Sequence, residues 1–222
     1  MARGTAMTLD LRTPEAASAA VPEVAAHLAA GGVIAYPTET VYGLGSLTTD
    51  AGLDALTVLK RRPSRKPFLL LVAGIPMLEQ AGLVLSGVAR RMAEEFWPGP
   101  LTLVLPGAEG RLPDRLRGPE GGIAVRWTSH RPLATLIAGL GLPITSTSAN
   151  RPGEGTAPGA DGVADRFPEA VASGHLLVLD GGVLGNVPPS TIVDCTVTPA
   201  ALIREGAIGR AELRRRIGRG AP

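Results

Sequence analysis

The sequence predicts an α/β fold, a twisted mixed parallel/antiparallel sheet with flanking helices. Two observations carry this. Stretches with apolar residues at helical spacing alternate with short apolar runs along most of the chain, the order that builds a layered α/β domain. Near the C-terminal end two such runs, Ser190 to Asp194 and Ala200 to Arg204, are separated only by a short Thr/Pro turn, which joins antiparallel neighbours. A length of 222 residues, 45% hydrophobic and 19% charged, suits one domain with a sizeable core.

Taken in order, Thr13 and Pro14 read as a helix cap and first helical residue. Val21, Val24, Ala25 and Leu28 recur at helical spacing, and Gly31-Gly32 ends the helix. Val33 to Tyr36 is a strand. Asp50 is expected to cap a second helix ending near Lys60, and Phe68 to Val72 is a continuous apolar run of the kind buried inside a sheet. Further helices are expected at Ser86 to Phe96, Pro132 to Leu140 and Asp161 to Phe167. Strands are expected at Leu101 to Leu105, Ile123 to Arg126, Pro143 to Thr147 and Leu176 to Leu179. Two Gly/Pro-rich stretches, Gly107 to Gly122 and Arg151 to Gly159, exceed ordinary connectors and read as mobile loops over a site. No repeat or shift in composition marks a second domain, so residues 1–222 are expected to form one.

Composition removes several function classes. A formal charge of +2 is too small for whole-molecule electrostatics to dictate a polyanionic partner. The opening MARGTAMTLDLRTPEAAS holds no apolar run of signal-peptide length, and no later stretch reaches membrane-spanning length uninterrupted, so a cytoplasmic protein without membrane contact is expected. A single cysteine, Cys195, excludes an intramolecular disulfide and a Cys-cluster metal site; its apolar neighbours predict a buried strand residue. His27, His130 and His175 are scattered, without the paired spacing of a metalloprotease helix, and read as surface or capping residues.

The residues that carry chemistry lie at strand ends and in one loop. KRRPSRKP, from Lys60 to Pro67, contains no acid, and it holds both lysines of a chain whose other basic residues are arginines. Two retained ammonium groups in one loop favour a phosphate-meeting site over a solvated connector. Neither GxxxxGK[ST] nor GxGxxG is present, which excludes the P-loop and Rossmann modes of nucleotide binding. YPTETVYGLG, Tyr36 to Gly45, instead places hydroxyls and glycines at the end of the first strand, where open α/β sheets bind ligands. ITSTSAN, Ile144 to Asn150, repeats the pattern. Arg126 closes a third strand with a planar fork suited to a carboxylate or phosphate, and Arg204 stands near Asp194 and Glu205, acids that offer it simple ion pairs.

Together YPTETVYGLG, the Lys60-x-Arg62 pair, FWPGPLTLVLP from Phe96, IAVR, STSAN and PSTIVD from Pro189 resemble the YrdC-type threonylcarbamoyl-AMP synthases, over residues 20 to about 210 in the same order. The resemblance implies a mixed sheet with a positively charged concave face and a single-domain form of the enzyme, since some relatives carry a further C-terminal domain. It implies an activity that joins L-threonine, bicarbonate and ATP into threonylcarbamoyl-AMP and pyrophosphate, for the threonylcarbamoyladenosine modification of tRNA. It implies L-threonine near Thr38, Arg126, Ser148 and Ser190. ATP is implied near Lys60, Arg62, Ser64, Gly122, Asn150 and Arg204, with Lys60 and Arg62 catalytic. Mg²⁺ bound with ATP is the implied cofactor, its ligands unassigned, and a tRNA threonylcarbamoyl-transfer enzyme complex the implied partner. The chain departs from the pattern at Leu71, where relatives commonly have histidine, and at Pro152-Gly153, where they have Ser-Gly.

The chemistry suits the residue types. A carbamate oxygen attacking the α-phosphorus needs positioned anions and neutralised charge rather than a covalent intermediate, and the sequence supplies cations and hydroxyls but no nucleophile dyad. Two other readings are weighed. One is an RNA-binding module of the same fold, with weak tRNA contact through Arg210, Arg214, Arg215, Arg216 and Arg219; 3% aromatic residues leave little for base stacking. The other is carbamoyl-phosphate chemistry of the hydrogenase-maturation type, whose accompanying zinc-finger regions a one-cysteine chain does not match.

Overall fold

A computed structural model of the chain describes residues 8–61, 67–218 and 220–222. The strands are β1 (Thr8–Asp10), β2 (Val33–Tyr36), β3 (Gly43–Gly45), β4 (Leu69–Val72), β5 (Leu101–Leu105), β6 (Ile123–Trp127), β7 (Ile144–Ser148), β8 (Leu176–Asp180), β9 (Thr191–Asp194) and β10 (Ala201–Arg204). The helices are α1 (Pro14–Ala29), α2 (Asp50–Lys60), α3 (Ile75–Gln80), α4 (Gly87–Phe96), α5 (Arg131–Leu140), α6 (Ala160–Arg166), α7 (Pro168–Ala172) and α8 (Arg210–Ile217). The strands form one sheet in the order β1-β8-β2-β3-β7-β4-β6-β5-β9-β10. The pairs β1/β8, β2/β8, β4/β6 and β5/β9 are parallel and the others antiparallel, including β9/β10, so the sheet is mixed as the sequence predicts.

Local chemistry sets the element ends. The Thr13 hydroxyl accepts from the Ala16 amide at 3.1 Å, and Pro14 needs no partner in the first turn. The second helix is capped by Thr49 rather than Asp50. The Thr49 hydroxyl accepts from the Gly52 amide at 3.2 Å, and the Asp50 charge sits in the first turn, against the positive end of the helix dipole. Cys195 is likewise not a strand residue. It lies one position beyond β9 and is partly buried, because Asp194 turns the chain by accepting from the Thr196 amide at 2.9 Å. The stretch from Gly107 to Gly122 holds a short 3-10 turn, Asp114–Leu116, and is pinned by buried Leu116 and by Arg117, whose Nη1 donates to Gly107 O and Gly121 O at 3.0 and 2.9 Å.

Successive strand residues face opposite sides of the sheet. Leu70, Leu103, Val125 and Val193 point into one core, closed by apolar residues of α2, α4, α6 and α8 such as Leu56, Met92, Val163 and Leu213. The other face is divided. Ile34, Tyr36, Leu71, Ile144 and Leu177 lie under α1 and α5, which pack on each other. Beyond them, across β6, β5 and β9, the same face carries Ala124, Arg126, Thr102 and Ile192, and opens into a cleft. Half of one face is thus core and half is site. Among the described residues no helix is long and apolar enough to cross a membrane.

Candidate active site

The cleft encloses about 1010 Å³. Its walls include Thr38, Arg126, Ser148 and Ser190, the predicted amino-acid residues, together with Lys60, Gly122, Asn150 and Arg204 from the predicted nucleotide set. Arg62 and Ser64 lie outside the described residues, as do Arg65 and Lys66.

The chain leaves β2 at Tyr36 and folds back into β3 through a tight hydroxyl-rich turn. Thr38 Oγ1 accepts from the amides of Thr40 and Val41, both at 3.1 Å, and donates to Val41 O at 2.7 Å. Its hydroxyl hydrogen and both lone pairs are therefore spent on the turn. The Thr40 hydroxyl, 3.0 Å from Thr38 Oγ1, also accepts from Arg126 Nη1 at 3.4 Å, so Thr40 ties the turn to the arginine. Glycine is required in β3. A Cβ on Gly45 would stand 2.3 Å from Thr145 O, because β3 is wedged against β7 with the Tyr36 ring over it.

Arg126 is 4% exposed, yet its internal partners leave it incompletely bound. Its Nη1 is 3.7 Å from Glu39 Oε1, while Nε and that carboxylate oxygen are both buried without a hydrogen-bond partner. A buried guanidinium with an unmet donor beside a cleft is prepared for an anion. Across the cleft, Arg204 Nη2 donates to Ser190 O at 2.7 Å, and the Ser190 hydroxyl meets Thr102 Oγ1 at 2.9 Å. Burial, and then repulsion from Arg126, hold the Arg204 guanidinium below its ordinary range. Among the described residues neither Asp194 nor Glu205 forms an ion pair with it: Asp194 accepts from Thr196 and Glu205 from the Arg210 amide. Two guanidinium groups that raise each other's cost mark a place where an anion is favoured.

Lys60 ends α2 and is 4% exposed. Its Nζ donates to Ser148 O at 2.6 Å and reaches Asn150 Oδ1 at 3.4 Å; Asn150 in turn accepts from the Ser148 hydroxyl and donates to Glu154 O. One amide therefore links the lysine, the end of β7 and the loop that follows. Gly122 stands where β6 begins, and a Cβ there would lie 2.6 Å from Val104 Cγ1 and 2.5 Å from Thr196 Cγ2. Leu71 is fully buried under α1 and α5 and does not line the cleft, so the departure from histidine at that position enlarges the core rather than the site. Pro152 and Gly153 do line it.

Sequence reasoning missed Glu39, Thr40 and Thr102, and read Asp194 as an ion-pair partner of Arg204 where the structure places it in the cleft wall. Glu39 and Thr40 sat inside a motif read as hydroxyls and glycines, and Thr102 inside an apolar strand; only the register brings Thr102 to Ser190. Among the described residues no three of His, Cys, Asp and Glu gather to hold a metal. That donor set fits an ion taking most of its ligands from phosphates and water, as magnesium does, and not one caged by protein. On α8, Arg216 pairs with Glu95 and Glu212 and lies 4.7 Å over the Phe96 ring, so this arginine braces α4.

These features define a mixed-sheet α/β protein whose uncovered half-face is a cleft lined by buried basic and hydroxyl side chains. The chain belongs to the Sua5/YciO/YrdC family, described under telomere recombination, which matches residues 26–206. It is 39% identical over 185 residues to a threonylcarbamoyl-AMP synthase of Thiobacillus denitrificans, covering 83% of this chain and 95% of the relative. Among solved structures it resembles Pyrococcus abyssi Sua5 complexed with L-threonine, with a TM-score of 0.83 and 31% identity. That match covers 96% of this chain, which spans 60% of the Pyrococcus protein. Escherichia coli YciO has a TM-score of 0.76 and 25% identity, with 95% of this chain and 97% of the other covered.

Proposed function

We infer that the chain is an L-threonylcarbamoyladenylate synthase, an enzyme of the nucleotidyltransferase kind that acts in tRNA threonylcarbamoyladenosine synthesis. The observation that supports it best is the convergence of Lys60, Arg126 and Arg204 with strand-end hydroxyls on one cleft. In the first step the threonine ammonium gives up a proton and the free amine adds to bicarbonate: a C–N bond forms, a C–O bond of bicarbonate breaks, and the oxygen leaves as water with one hydrogen of the amine, giving the carbamate. A carbamate oxygen then attacks the α-phosphorus of ATP. A new P–O bond forms as the bond to the β-phosphate breaks, and pyrophosphate departs.

In this reading Arg126 receives the threonine carboxylate, with Thr38, Ser148 and Ser190 around the amino acid. Lys60, Arg204, Asn150 and Gly122 face the nucleotide, and the resemblance assigns Arg62 and Ser64, outside the described residues, to the same ligand. A bound magnesium ion would supply charge neutralisation on the triphosphate, held by phosphate oxygens and water, with Asp194 and Glu120 the carboxylates that line the cleft. The product, a reactive mixed anhydride, passes to a tRNA-modifying transfer complex, and the cytoplasm is the compartment this reading implies. Weak contact with tRNA would fall to the exposed Arg210 and Arg215 of α8. The test is pyrophosphate release from ATP and bicarbonate, with and without each amino acid; release indifferent to threonine removes the assignment.

A further inference from the structure

We propose that Leu69, with Ala124 beside it, is the seat for the side-chain methyl group of the amino acid, and that it selects threonine over serine. The inference rests on the function proposed above and adds a specificity determinant to it.

The strand register arranges the cleft floor in two rows. One row starts from Leu71 on β4, buried beneath α1 and α5, and enters the cleft at Arg126 on β6 and Ile192 on β9, joined by Thr102, which pairs with Ile192. The next row holds Ser146 on β7 opposite Leu69 on β4, and Ala124 on β6 opposite Val104 on β5. The Leu70–Val125 pairing, stepped back by one residue, sets Leu69 against Ala124. Side chains directly opposite on one face stand about 4.5–5.5 Å apart, and diagonal neighbours roughly 7–8 Å. Arg126 therefore has an apolar pair one row away, within the length of a small amino acid anchored by its carboxylate.

This row gives the cleft floor an apolar stretch beside Arg126. Ser146 borders it at one end and Asp194 at the other, while Val104 is 8% exposed and backed against Gly122. Leu69 and Ala124 are not fully buried and keep part of their surface open to the cleft. Leu69 belongs to the strand whose neighbours Leu70 and Leu71 are fully buried, so its incomplete burial is a property of the cleft and not of a loose strand. Threonine and serine share the carboxylate, the ammonium group and the hydroxyl. They differ by one methyl group, and only an apolar surface can tell them apart by binding; one such group in an apolar pocket is worth roughly 10- to 200-fold.

The experiment measures kcat/KM for threonine and for serine, by ATP-dependent pyrophosphate release in bicarbonate, for the wild type, Leu69→Ala and Ala124→Val. Leu69→Ala removes the seat and Ala124→Val fills it, so opposite changes in volume are expected to lower the threonine-to-serine ratio alike, each by about tenfold, with serine turnover kept within about threefold. A ratio that stays unchanged in both variants while the two substrates fall together overturns the seat and leaves the proposed function standing. Wild-type enzyme that responds to neither amino acid overturns both.

Discussion

Glu39 stands behind Arg126 and not in the cleft, its Oε1 3.7 Å from Arg126 Nη1 and its Oε2 taken by the Thr128 hydroxyl. The spacing gives charge attraction without a two-pronged bond, so the fork is kept in place and left free for an external carboxylate. Glu39→Gln retains the shape and an oxygen for Thr128 but removes the charge that holds the arginine. The KM for threonine is expected to rise about tenfold, equivalent to about 1.4 kcal/mol, with KM for ATP changed little. Initial rates with each substrate varied in turn decide it; an equal rise in both would mean that Glu39 supports the fold in general.

Arg126→Lys tests the same contact from the other side. The ammonium keeps the charge and loses the planar fork, so threonine should weaken by roughly 10- to 100-fold and ATP far less. Isothermal titration with each ligand separates the two, and equal losses would give Arg126 another role.

The strands and long helices were legible in the sequence because each carried its own signal: continuous apolar runs for β4 and β5, Thr13-Pro14 for α1. β3 carried none. Gly43-Leu44-Gly45 has no strand propensity and is a strand only because β2 and β7 hold it on both sides. β1 is three residues at the sheet edge, and α3 is six residues with a proline at its second position, too short for periodicity to speak. At the site, residue types at strand ends were visible, but which of them face one another is a matter of register. Ser190 and Thr102 meet across 88 positions of sequence, and the half of the sheet face left uncovered depends on where α1 and α5 pack.

His130 supplies a pH-dependent element outside the cleft. Its Nδ1 accepts from the Leu133 amide at 3.2 Å as the cap of α5, which only the unprotonated nitrogen can do. Burial holds its pKa below 6.5, with Glu39 pulling the other way. A pKa depressed in the folded state means that the unfolded chain takes up the proton first. The stability is therefore fully present above about 6.5 and is lost as pH falls through and below it. His130→Asn keeps a capping oxygen and cannot titrate. Urea midpoints at pH 7.5 and 5.5 should differ less in the variant than in the wild type, the cap accounting for about 1 kcal/mol; an equal difference would place the acid sensitivity elsewhere.

The two Gly/Pro-rich stretches should respond differently to nucleotide. Arg117 and Leu116 fix the body of the first, leaving residues 118–121 at the cleft rim, whereas residues 151–156 hang on Asn150 and Glu154. Hydrogen exchange is expected to slow with ATP in residues 118–121 and 151–156 and to stay unchanged at residues 112–117. Uniformly slow exchange in the free protein would show that the cleft is preformed.

Lys60 sits in the last turn of α2, where the helix dipole disfavours an anion and a cation must offset it. The ammonium is almost wholly buried and donates to Ser148 O and Asn150 Oδ1, contacts that a compact rotating group can redistribute when a phosphate arrives. If it stabilises charge on the α-phosphate or on departing pyrophosphate, Lys60→Ala should lose about 3 kcal/mol of transition-state stabilisation, roughly a hundredfold in turnover. Lys60→Arg should also be poor, because a planar guanidinium is bulkier than the buried ammonium and cannot rotate its donors among carbonyl and phosphate oxygens. Lys66, outside the described residues, serves as the comparison: in the same basic loop, Lys66→Arg should be mild. Adenylate formation at saturating ATP and threonine reads all three variants. Wild-type turnover in Lys60→Arg would show that the position needs only a positive charge, and that the retained lysines of this arginine-rich chain say nothing about phosphate geometry.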